Sequence, residues 1–333
     1  MTKIAARRYG LGIDLGGTKI LAGVIDLDSG EVLSTAKKRT KANQGPAELL
    51  DRLGDTAEEA LRVAKLPKET PVGTIGVAAA GQIDPARGLL ISGPNLAGVA
   101  NLPISEALGQ RFGLPVRLGN DVQGATLGEL TFGAGQGIDR FICVFVGTGV
   151  GGALVHHGQL DTGPNATAGE IGHLIIHAGG RYCGCGGRGH LEAYASRTAI
   201  TTALLAELGR GRASSLTKIL EDEGYDEAAP GGTAIRSGLL ARAVQEGDEL
   251  VLETLREAAR YLGLGLASAI NFYNPQRIIL GGGVIEAVPL LLEIAAPLAR
   301  REALPVPGRA VEIVAARLGD NAGIVGAAIL GAA

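Results

Sequence analysis

Apolar and alternating runs separated by glycine-rich turns dominate much of the chain. The alternating run Ile20 to Ile25 follows the glycine pair Gly16-Gly17, and the apolar run Phe141 to Val146 is followed by the cluster Gly147 to Gly152. Ala153 to Gly158 then has the pattern of a further strand. The sequence therefore predicts two β-hairpins with glycine at their tips, one in each half of the chain.

Each predicted hairpin is followed by strand and helix patterns in alternation, which is typical of α/β lobes. The further predicted strands are Thr74 to Ala78, Pro115 to Leu118 and Arg277 to Leu280, and the predicted helices are Ala47 to Ala64, Val122 to Thr131, Ala234 to Gln245 and Glu249 to Phe272. We expect a small N-terminal lobe of residues 1–121, completed by a capped apolar helix at 319–333, and a large lobe of residues 122–318. A cleft is expected between the lobes.

Composition excludes several classes of protein. The chain has 333 residues, 46% of them hydrophobic, and a formal net charge of −3, so nothing in its charge favours a nucleic acid or an anionic membrane as a partner. Met1 to Arg8 lacks the apolar core of a signal peptide, and no stretch is apolar enough to cross a bilayer. Three cysteines do not form a disulfide framework. We expect a cytoplasmic protein.

Two cysteines and two histidines form the densest group of chemically active residues. Cys183 and Cys185 lie in a glycine-rich loop with His173 before them and His190 after them. Thiolates and imidazoles are the ligands of tetrahedral Zn²⁺, so this spacing predicts a structural zinc loop in the large lobe. The alternative is a glycine-rich turn with two inert thiols.

A third histidine, His177, competes for the imidazole position. The intervening Leu174, Ile175 and Ile176 have a strand pattern, and four residues of strand would separate His177 from His173 by about 13 Å, too far for one ion. A zinc at this loop would also orient the carboxylates of Glu170 and Glu192.

The two hairpin tips are candidate phosphate loops. Gly16, Gly17, Thr18 and Lys19 expose backbone N–H groups beside a hydroxyl and a cation, and Asp14 could hold Mg²⁺ through water. The second tip matches G-x-G-x-x-G, which suggests a nicotinamide-dependent sugar dehydrogenase. The dinucleotide fingerprint requires a helix next, however, and a strand is predicted here. A purely structural role for the glycines remains open.

An ordered set of motifs resembles the ROK (repressor, open reading frame, kinase) family of sugar kinases, within the actin-like ATPase superfamily and its ribonuclease H-like fold. The set spans nearly the whole chain: Asp14 to Lys19, Pro94-Asn95-Leu96, Gly119-Asn120-Asp121, Gly147-Thr148-Gly149, Glu170 to His173, the cysteine loop and Gly281-Gly282-Gly283. His190 stands where the family has a third cysteine, which would change the zinc ligands to two cysteines and two histidines.

The resemblance implies phosphorylation of a hexose at the 6-hydroxyl by ATP, with Mg²⁺ and a structural Zn²⁺. Asp121 would be the general base. The implied sugar-binding residues are Asn95, Asn120, Asp121, Glu170, His173 and Glu192; the implied ATP-binding residues are Asp14, Gly16, Gly17, Thr18, Lys19, Gly147, Thr148, Gly149, Gly281, Gly282 and Gly283. Asn120 and Asp121 could instead cap the helix at Val122.

Several functional alternatives stay open within the resemblance. Glucose is the favoured substrate, because Pro94-Asn95-Leu96 and the Glu170 motif resemble the glucokinase branch; fructose, mannose, allose and N-acetylhexosamines are alternatives. A sugar-sensing repressor of this family carries a helix-turn-helix domain before the kinase core, and the position of Asp14 leaves no room for one in this sequence. A non-catalytic sugar sensor is a further alternative. The family also implies a homodimer or homotetramer.

Overall fold

The computed structural model describes residues 8–67, 71–93, 96, 98–225 and 234–333, which form two compact units. Unit 1 comprises Met1–Gln136 and Asp320–Ala333, and unit 2 comprises Gly137–Gly319. Unit 1 extends beyond the expected boundary at Asp121, because the helix that begins there packs against the C-terminal helix of the same unit.

Unit 1 contains a five-stranded sheet, a small three-stranded sheet and four α-helices among its described residues. Its strands are β1 (Tyr9–Leu15), β2 (Lys19–Asp26), β3 (Val32–Arg39), β4 (Thr74–Ala79), β5 (Gln82–Asp84), β6 (Leu89–Ser92), β7 (Ala100–Leu102) and β8 (Val116–Asn120), and its helices are α1 (Pro46–Ala64), α2 (Ile104–Phe112), α3 (Asp121–Phe132) and α12 (Ala322–Ala332). The large sheet has the order β3-β2-β1-β4-β8, with β3, β2 and β1 antiparallel and with β4 and β8 parallel to β1.

Unit 2 contains a second five-stranded sheet and the remaining helices. Its strands are β9 (Phe141–Val146), β10 (Val150–His156), β11 (Gln159–Asp161), β12 (Arg277–Gly281) and β13 (Glu312–Ala315), and its helices are α4 (Glu192–Ala195), α5 (Arg197–Gly209), α6 (Leu216–Asp222), α7 (Ser237–Gln245), α8 (Glu249–Tyr273), α9 (Gly283–Ala287), α10 (Leu290–Glu302) and α11 (Pro305–Ala310). Short 3₁₀ turns lie at Ala42–Gln44, Ile171–His173 and Gly319–Asn321.

The two large sheets repeat one succession of strands. The order in unit 2 is β11-β10-β9-β12-β13, again an antiparallel hairpin followed by two strands parallel to its first strand. Both predicted glycine-tipped hairpins are confirmed, and the repeat confirms the expected ribonuclease H-like, actin-like α/β fold. Among the described residues, no helix combines the length and apolar character needed to cross a bilayer.

Glycines let α12 touch its neighbours backbone to backbone. A Cβ atom on Gly326 of α12 would lie 1.6 Å from the carbonyl oxygen of Gly124 in α3. On the sheet side, a Cβ on Gly12 would lie 1.8 Å from the carbonyl oxygen of Ile324, and one on Gly76 would lie 1.7 Å from that of Ala327. Only hydrogen fits at these positions, so helix and sheet approach more closely than side chains would permit.

The first prediction concerns this close contact. Gly326→Ala is expected to lower the free energy of unfolding by about 3 kcal/mol, because the new methyl group must displace backbone rather than a flexible side chain. Urea denaturation measures the effect. Gly238→Ala in α7 is the control, since a Cβ there meets nothing within 4 Å, and it should stabilise the protein by about 0.5–1 kcal/mol. Equal stability of Gly326→Ala and the wild type would contradict the contact.

Candidate active site

Unit 1 places three predicted polar residues at one edge of its sheet. Asp14 is next to last in β1, Asn120 is the last residue of β8, and Asp121 opens α3. Leu15 and Asn120 both pair with Ala79 of β4, so the carboxyl ends of these parallel strands coincide. Ligands of open α/β sheets bind at such edges.

The Asp14 carboxyl is held in an unusual environment. It lies against the first turn of α12, where a Cβ on Gly323 would be 3.0 Å from its Cγ atom. Burial is the largest cause that raises the pKa of Asp14, the nearby Asp121 carboxylate adds to it and Lys19 opposes both, so that the pKa is about 7. A group that is costly to ionise and lies near a second carboxylate is a favourable place for added positive charge.

The hairpin tip between β1 and β2 contains the predicted phosphate loop. The N–H of Gly16 donates to the carbonyl of Lys19 at 3.0 Å, so this donor closes the turn and does not face a ligand. Thr40 also holds this turn. Its hydroxyl donates to the carbonyl of Gly16 at 2.6 Å, and its N–H donates to the carbonyl of Thr18 at 3.0 Å. Lys19 forms an exposed ion pair with Asp320 at 3.3 Å. No local sequence signal indicated Thr40.

Asn120 acts as the N-cap of α3. Its Oδ1 atom accepts hydrogen bonds from the N–H groups of Val122 at 3.0 Å and Gln123 at 3.2 Å, and its Nδ2 atom donates to the carbonyl of Gly81 at 3.4 Å. The capping alternative is therefore correct for Asn120, and its amide nitrogen is the atom with capacity for a ligand. Asn95 lies outside the described residues.

In unit 2 the four predicted zinc donors come together. The ligand atoms of His173, Cys183, Cys185 and His190 all lie within 4.8 Å of one another. The Sγ atom of Cys183 is 3.8 Å from Nδ1 of His173, and the Sγ atom of Cys185 is 3.2 Å from Nδ1 of His190. Two sulfurs and two imidazole nitrogens in one cluster are a donor set that fits tetrahedral Zn²⁺.

Glycines shape the loop around this cluster. A Cβ on Gly187 would lie 2.3 Å from Cε1 of His190, and Gly189 has a φ of +77° with its Cβ position 1.9 Å from the His177 carbonyl oxygen. Burial raises the pKa of the Cys183 thiol to about 12. A bound cation would reverse that effect by stabilising the thiolate.

The expected strand at Leu174, Ile175 and Ile176 is wrong. Ile175 forms only an isolated bridge with His190, because the chain must turn back to bring the cysteine loop over His173. His177 is nevertheless outside the cluster, and its Nδ1 atom lies 3.3 Å from the hydroxyl of Tyr194.

The two carboxylates beside the cluster have different contacts. Glu192 accepts the N–H of Val150 at 3.0 Å with Oε2, and the Cys183 thiol lies 3.4 Å from its Oε1. Glu170 is 59% exposed and its Oε2 is 3.9 Å from Nε2 of His173. Glu192 therefore connects the cysteine loop to the start of β10.

The loop Gly147-Thr148-Gly149 joins β9 to β10. The N–H of Gly147 donates to the carbonyl of Gly149 at 2.9 Å, which closes the turn. Two residues that sequence reasoning missed, Arg197 and Thr198 at the start of α5, donate hydrogen bonds into it. β10 follows the loop directly, so the helix of a dinucleotide fingerprint is absent at this point of the described chain.

Three consecutive glycines, Gly281 to Gly283, connect the end of β12 to the start of α9, and their surroundings differ. A Cβ on Gly281 would lie 2.7 Å from the Phe145 ring, and one on Gly282 would lie 2.6 Å from the Val146 carbonyl oxygen. Packing against β9 therefore explains these two without a ligand. Gly283 has open space, with Ser237 Oγ as its nearest neighbour at 3.9 Å.

Comparisons with known proteins agree with this arrangement. The sequence profile of the ROK family matches residues 10–333. The chain belongs to the ROK family.

Named relatives and solved structures of the ROK family cover almost the whole chain. A glucokinase of Thermotoga maritima is 32% identical over 96% of this chain and 95% of its own length, and one of Streptomyces coelicolor is 34% identical over 96% of each. The solved structure of a ROK family glucokinase from Streptomyces griseus, in complex with glucose and AMPPNP, is 33% identical, has a TM-score of 0.82, and covers 97% of this chain and 99% of its own.

The second prediction concerns Asp14. Its folded-state pKa of about 7 exceeds the ordinary value of 3.8, so between these values the folded protein keeps a proton that the unfolded chain has released. Stability from this group is present below that window and is lost as pH rises through it. Asp14→Asn cannot ionise, so its Tm advantage over the wild type should be at least about 3 °C greater near pH 8 than near pH 5.

Thermal unfolding in buffer with a chelator measures this difference. Asp222→Asn, at an exposed carboxyl at the end of α6, is the control and should follow the wild-type profile. If the Tm of Asp14→Asn and that of the wild type changed in parallel with pH, the pKa of Asp14 would have its ordinary value and the prediction would be wrong.

Proposed function

We propose that this ROK family protein transfers the γ-phosphoryl group of ATP to the 6-hydroxyl of a hexose, with glucose as its preferred substrate. The observation that carries the proposal is the placement of Asp121 in the first turn of α3, at the carboxyl edge of parallel strands and close enough to Asp14 to raise its pKa. The similarity to proteins named glucokinase supports the choice of sugar.

Asp121 is the general base of the proposed reaction. The sugar hydroxyl gives its proton to the Asp121 carboxylate as its oxygen bonds to the γ-phosphorus, and the bond from that phosphorus to the bridging oxygen of ADP breaks. The position of Asp121 in the first turn of a helix stabilises its negative charge. Asn120 fixes the start of that helix through its cap and so orients Asp121.

Asp14 is the residue that would hold Mg²⁺. Its buried, hard-to-ionise carboxyl near a second carboxylate fits a site that is completed by a divalent cation. The ion would neutralise charge on the transferring phosphoryl group. The proposed phosphate contacts are Gly17, Thr18, Lys19, Thr148 and Gly149, and Gly283 is the glycine with room for adenosine.

The cysteine loop is the proposed zinc site, with a structural role. Its donors are His173, Cys183, Cys185 and His190. Binding of the ion by Nδ1 of His173, the ring atom that lies 3.8 Å from the Cys183 sulfur, would leave Nε2 on the side of Glu170 for a sugar hydroxyl. Glu170, His173, Glu192, Asn95 and the amide nitrogen of Asn120 are the proposed contacts to sugar hydroxyls.

A panel of sugars tests the proposed function. Wild-type protein is incubated with MgATP and glucose, mannose, fructose, allose or an N-acetylhexosamine, and ADP release is measured as kcat/KM. Glucose should give the highest value, and transfer to an N-acetylhexosamine instead would change the substrate but not the reaction. Absence of sugar-dependent ADP release with the whole panel would refute the kinase assignment and leave a non-catalytic sensor.

The third prediction tests the base. Asp121→Asn should lower kcat by about 10²–10⁴-fold with little change in sugar affinity or Tm, because the amide keeps the size of the side chain but cannot accept the proton. Steady-state kinetics and glucose binding by calorimetry measure the two effects. Asp222→Asn is the matched control. A variant that keeps more than a tenth of the wild-type kcat would remove Asp121 from this role.

The fourth prediction tests the metal. Purified protein should contain about one zinc per chain, and Cys183→Ser or His190→Ala should release it and raise the KM for glucose, because the ion orders the loop that carries Glu170 and Glu192. Cys143→Ala, in β9 and outside the cluster, is the control that should keep its zinc. Elemental analysis that finds no zinc in fully active protein would refute the site.

A further inference from the structure

Arg197 is a cation without an acidic partner among the described residues. It is the first residue of α5, immediately after the N-cap Ser196. Its Nη2 atom donates to the hydroxyl oxygen of Thr148 at 2.7 Å, and its Nε atom is buried with no hydrogen-bond partner. Most other arginines with side-chain contacts form exposed ion pairs with Asp or Glu, so this environment is unusual within the chain.

The same end of α5 holds the backbone of the phosphate loop. The N–H of Arg197 donates to the Gly147 carbonyl at 2.9 Å, and Thr198 donates to the Thr148 carbonyl with its hydroxyl at 2.8 Å and with its N–H at 3.4 Å. These bonds occupy the loop carbonyls. The Thr148 hydroxyl is the side-chain group that the loop can offer to a ligand.

The bond from Arg197 decides how that hydroxyl is used. A guanidinium can only donate hydrogen bonds, so Thr148 Oγ1 must accept this one, and its own hydrogen is directed toward a different acceptor. The loop itself contains no positively charged residue. Arg197 is therefore both the cation in direct contact with this hydroxyl and the group that makes it a donor.

The charge of Arg197 is costly in the isolated chain. Burial lowers the pKa of Arg197, but a guanidinium remains protonated at physiological pH, so the protein cannot remove the charge by deprotonation. A half-buried cation without a counter-ion is stabilised when an anion binds beside it. Phosphate oxygens match the guanidinium fork particularly well.

We propose that Arg197 is a positioning residue for the nucleotide phosphates: it turns the Thr148 hydroxyl proton toward a phosphate oxygen of ATP and supplies the positive charge that the loop lacks. This inference rests on the proposed kinase function. According to this inference, a residue outside the glycine loop makes the affinity for a nucleotide depend on its phosphate groups. The competing interpretation is that Arg197 only ties α5 to the loop.

Binding measurements with three probes separate the two interpretations. AMPPNP, ADP and adenosine are titrated calorimetrically into wild-type protein, Arg197→Met and Arg197→Lys. Arg197→Met should weaken AMPPNP binding by about 10–100-fold, the equivalent of one lost hydrogen bond to a charged group, while adenosine binding stays unchanged. Arg197→Lys should recover part of the loss, since it keeps the charge but not the fork.

Kinetics with a double mutant test whether Arg197 acts through Thr148. Thr148→Val and Arg197→Met should each raise the KM for ATP without a matching change in the KM for glucose. The double variant should lose less than the two single effects combined, because both changes remove the same hydroxyl donor. Arg210→Met, at the exposed end of the same helix, is the matched control and should behave as wild type.

Two outcomes would overturn the inference while leaving the kinase assignment intact. One is an Arg197→Met variant with wild-type affinity for AMPPNP, and the other is an equal loss of affinity for AMPPNP and adenosine, which is what a displaced loop would produce. A wild-type protein that binds none of the nucleotides would overturn the inference and the proposed function together.

Discussion

The backbone contact between α12 and its neighbours is the constraint on which unit 1 depends. Carbonyl groups of the helix lie where side chains of β1 and β4 would otherwise begin, so glycine is required at Gly12 and Gly76. The same close approach brings the first turn of α12, at Gly323, against the Asp14 carboxyl. The environment that makes Asp14 hard to ionise is therefore set by glycines along the whole length of the helix, and not only by residues at the sheet edge.

Unit 2 has the same succession of strands but holds its loop differently. The turn after β9 is fixed by hydrogen bonds from α5 and by the Glu192 carboxylate, which accepts the Val150 N–H and also contacts Cys183. Because one carboxylate joins the turn after β9 to the cysteine loop, a change in either segment alters the support of the other. The two sheets have the same strand order, but different contacts keep their glycine-rich turns in a single conformation.

Local patterns predicted the features that local physics determines. The hairpins were predicted because glycine clusters follow strand runs, and the cluster of candidate metal donors was predicted because His173, Cys183, Cys185 and His190 lie within a short segment. The functional roles came from the family resemblance, since no spacing alone distinguishes a catalytic Asp121 from a helix cap.

Features that depend on distant residues were not predicted. The extension of unit 1 to Gln136 follows from packing of α3 on α12, and the proposed role of Arg197 depends on its contact with Thr148, which is 49 residues earlier. The chain around Leu174 is apolar enough for a strand, yet the loop geometry leaves it one bridge. The side chain of Asn120 could bind a sugar or cap a helix, and only the structure shows that its oxygen caps α3.

The discontinuity of unit 1 has a consequence for synthesis of the protein. Its sheet is complete early, yet the helix that covers Gly12 and Gly76 is encoded after all of unit 2, and the Thr74 hydroxyl bonds to Gly331 across 257 positions. On the ribosome, unit 2 can therefore close before unit 1 does, reversing the usual order in which N-terminal domains fold first. Until α12 emerges, the apolar sheet face that it covers is exposed on the nascent chain. Chaperones that bind apolar surfaces can bind this face throughout the synthesis of unit 2.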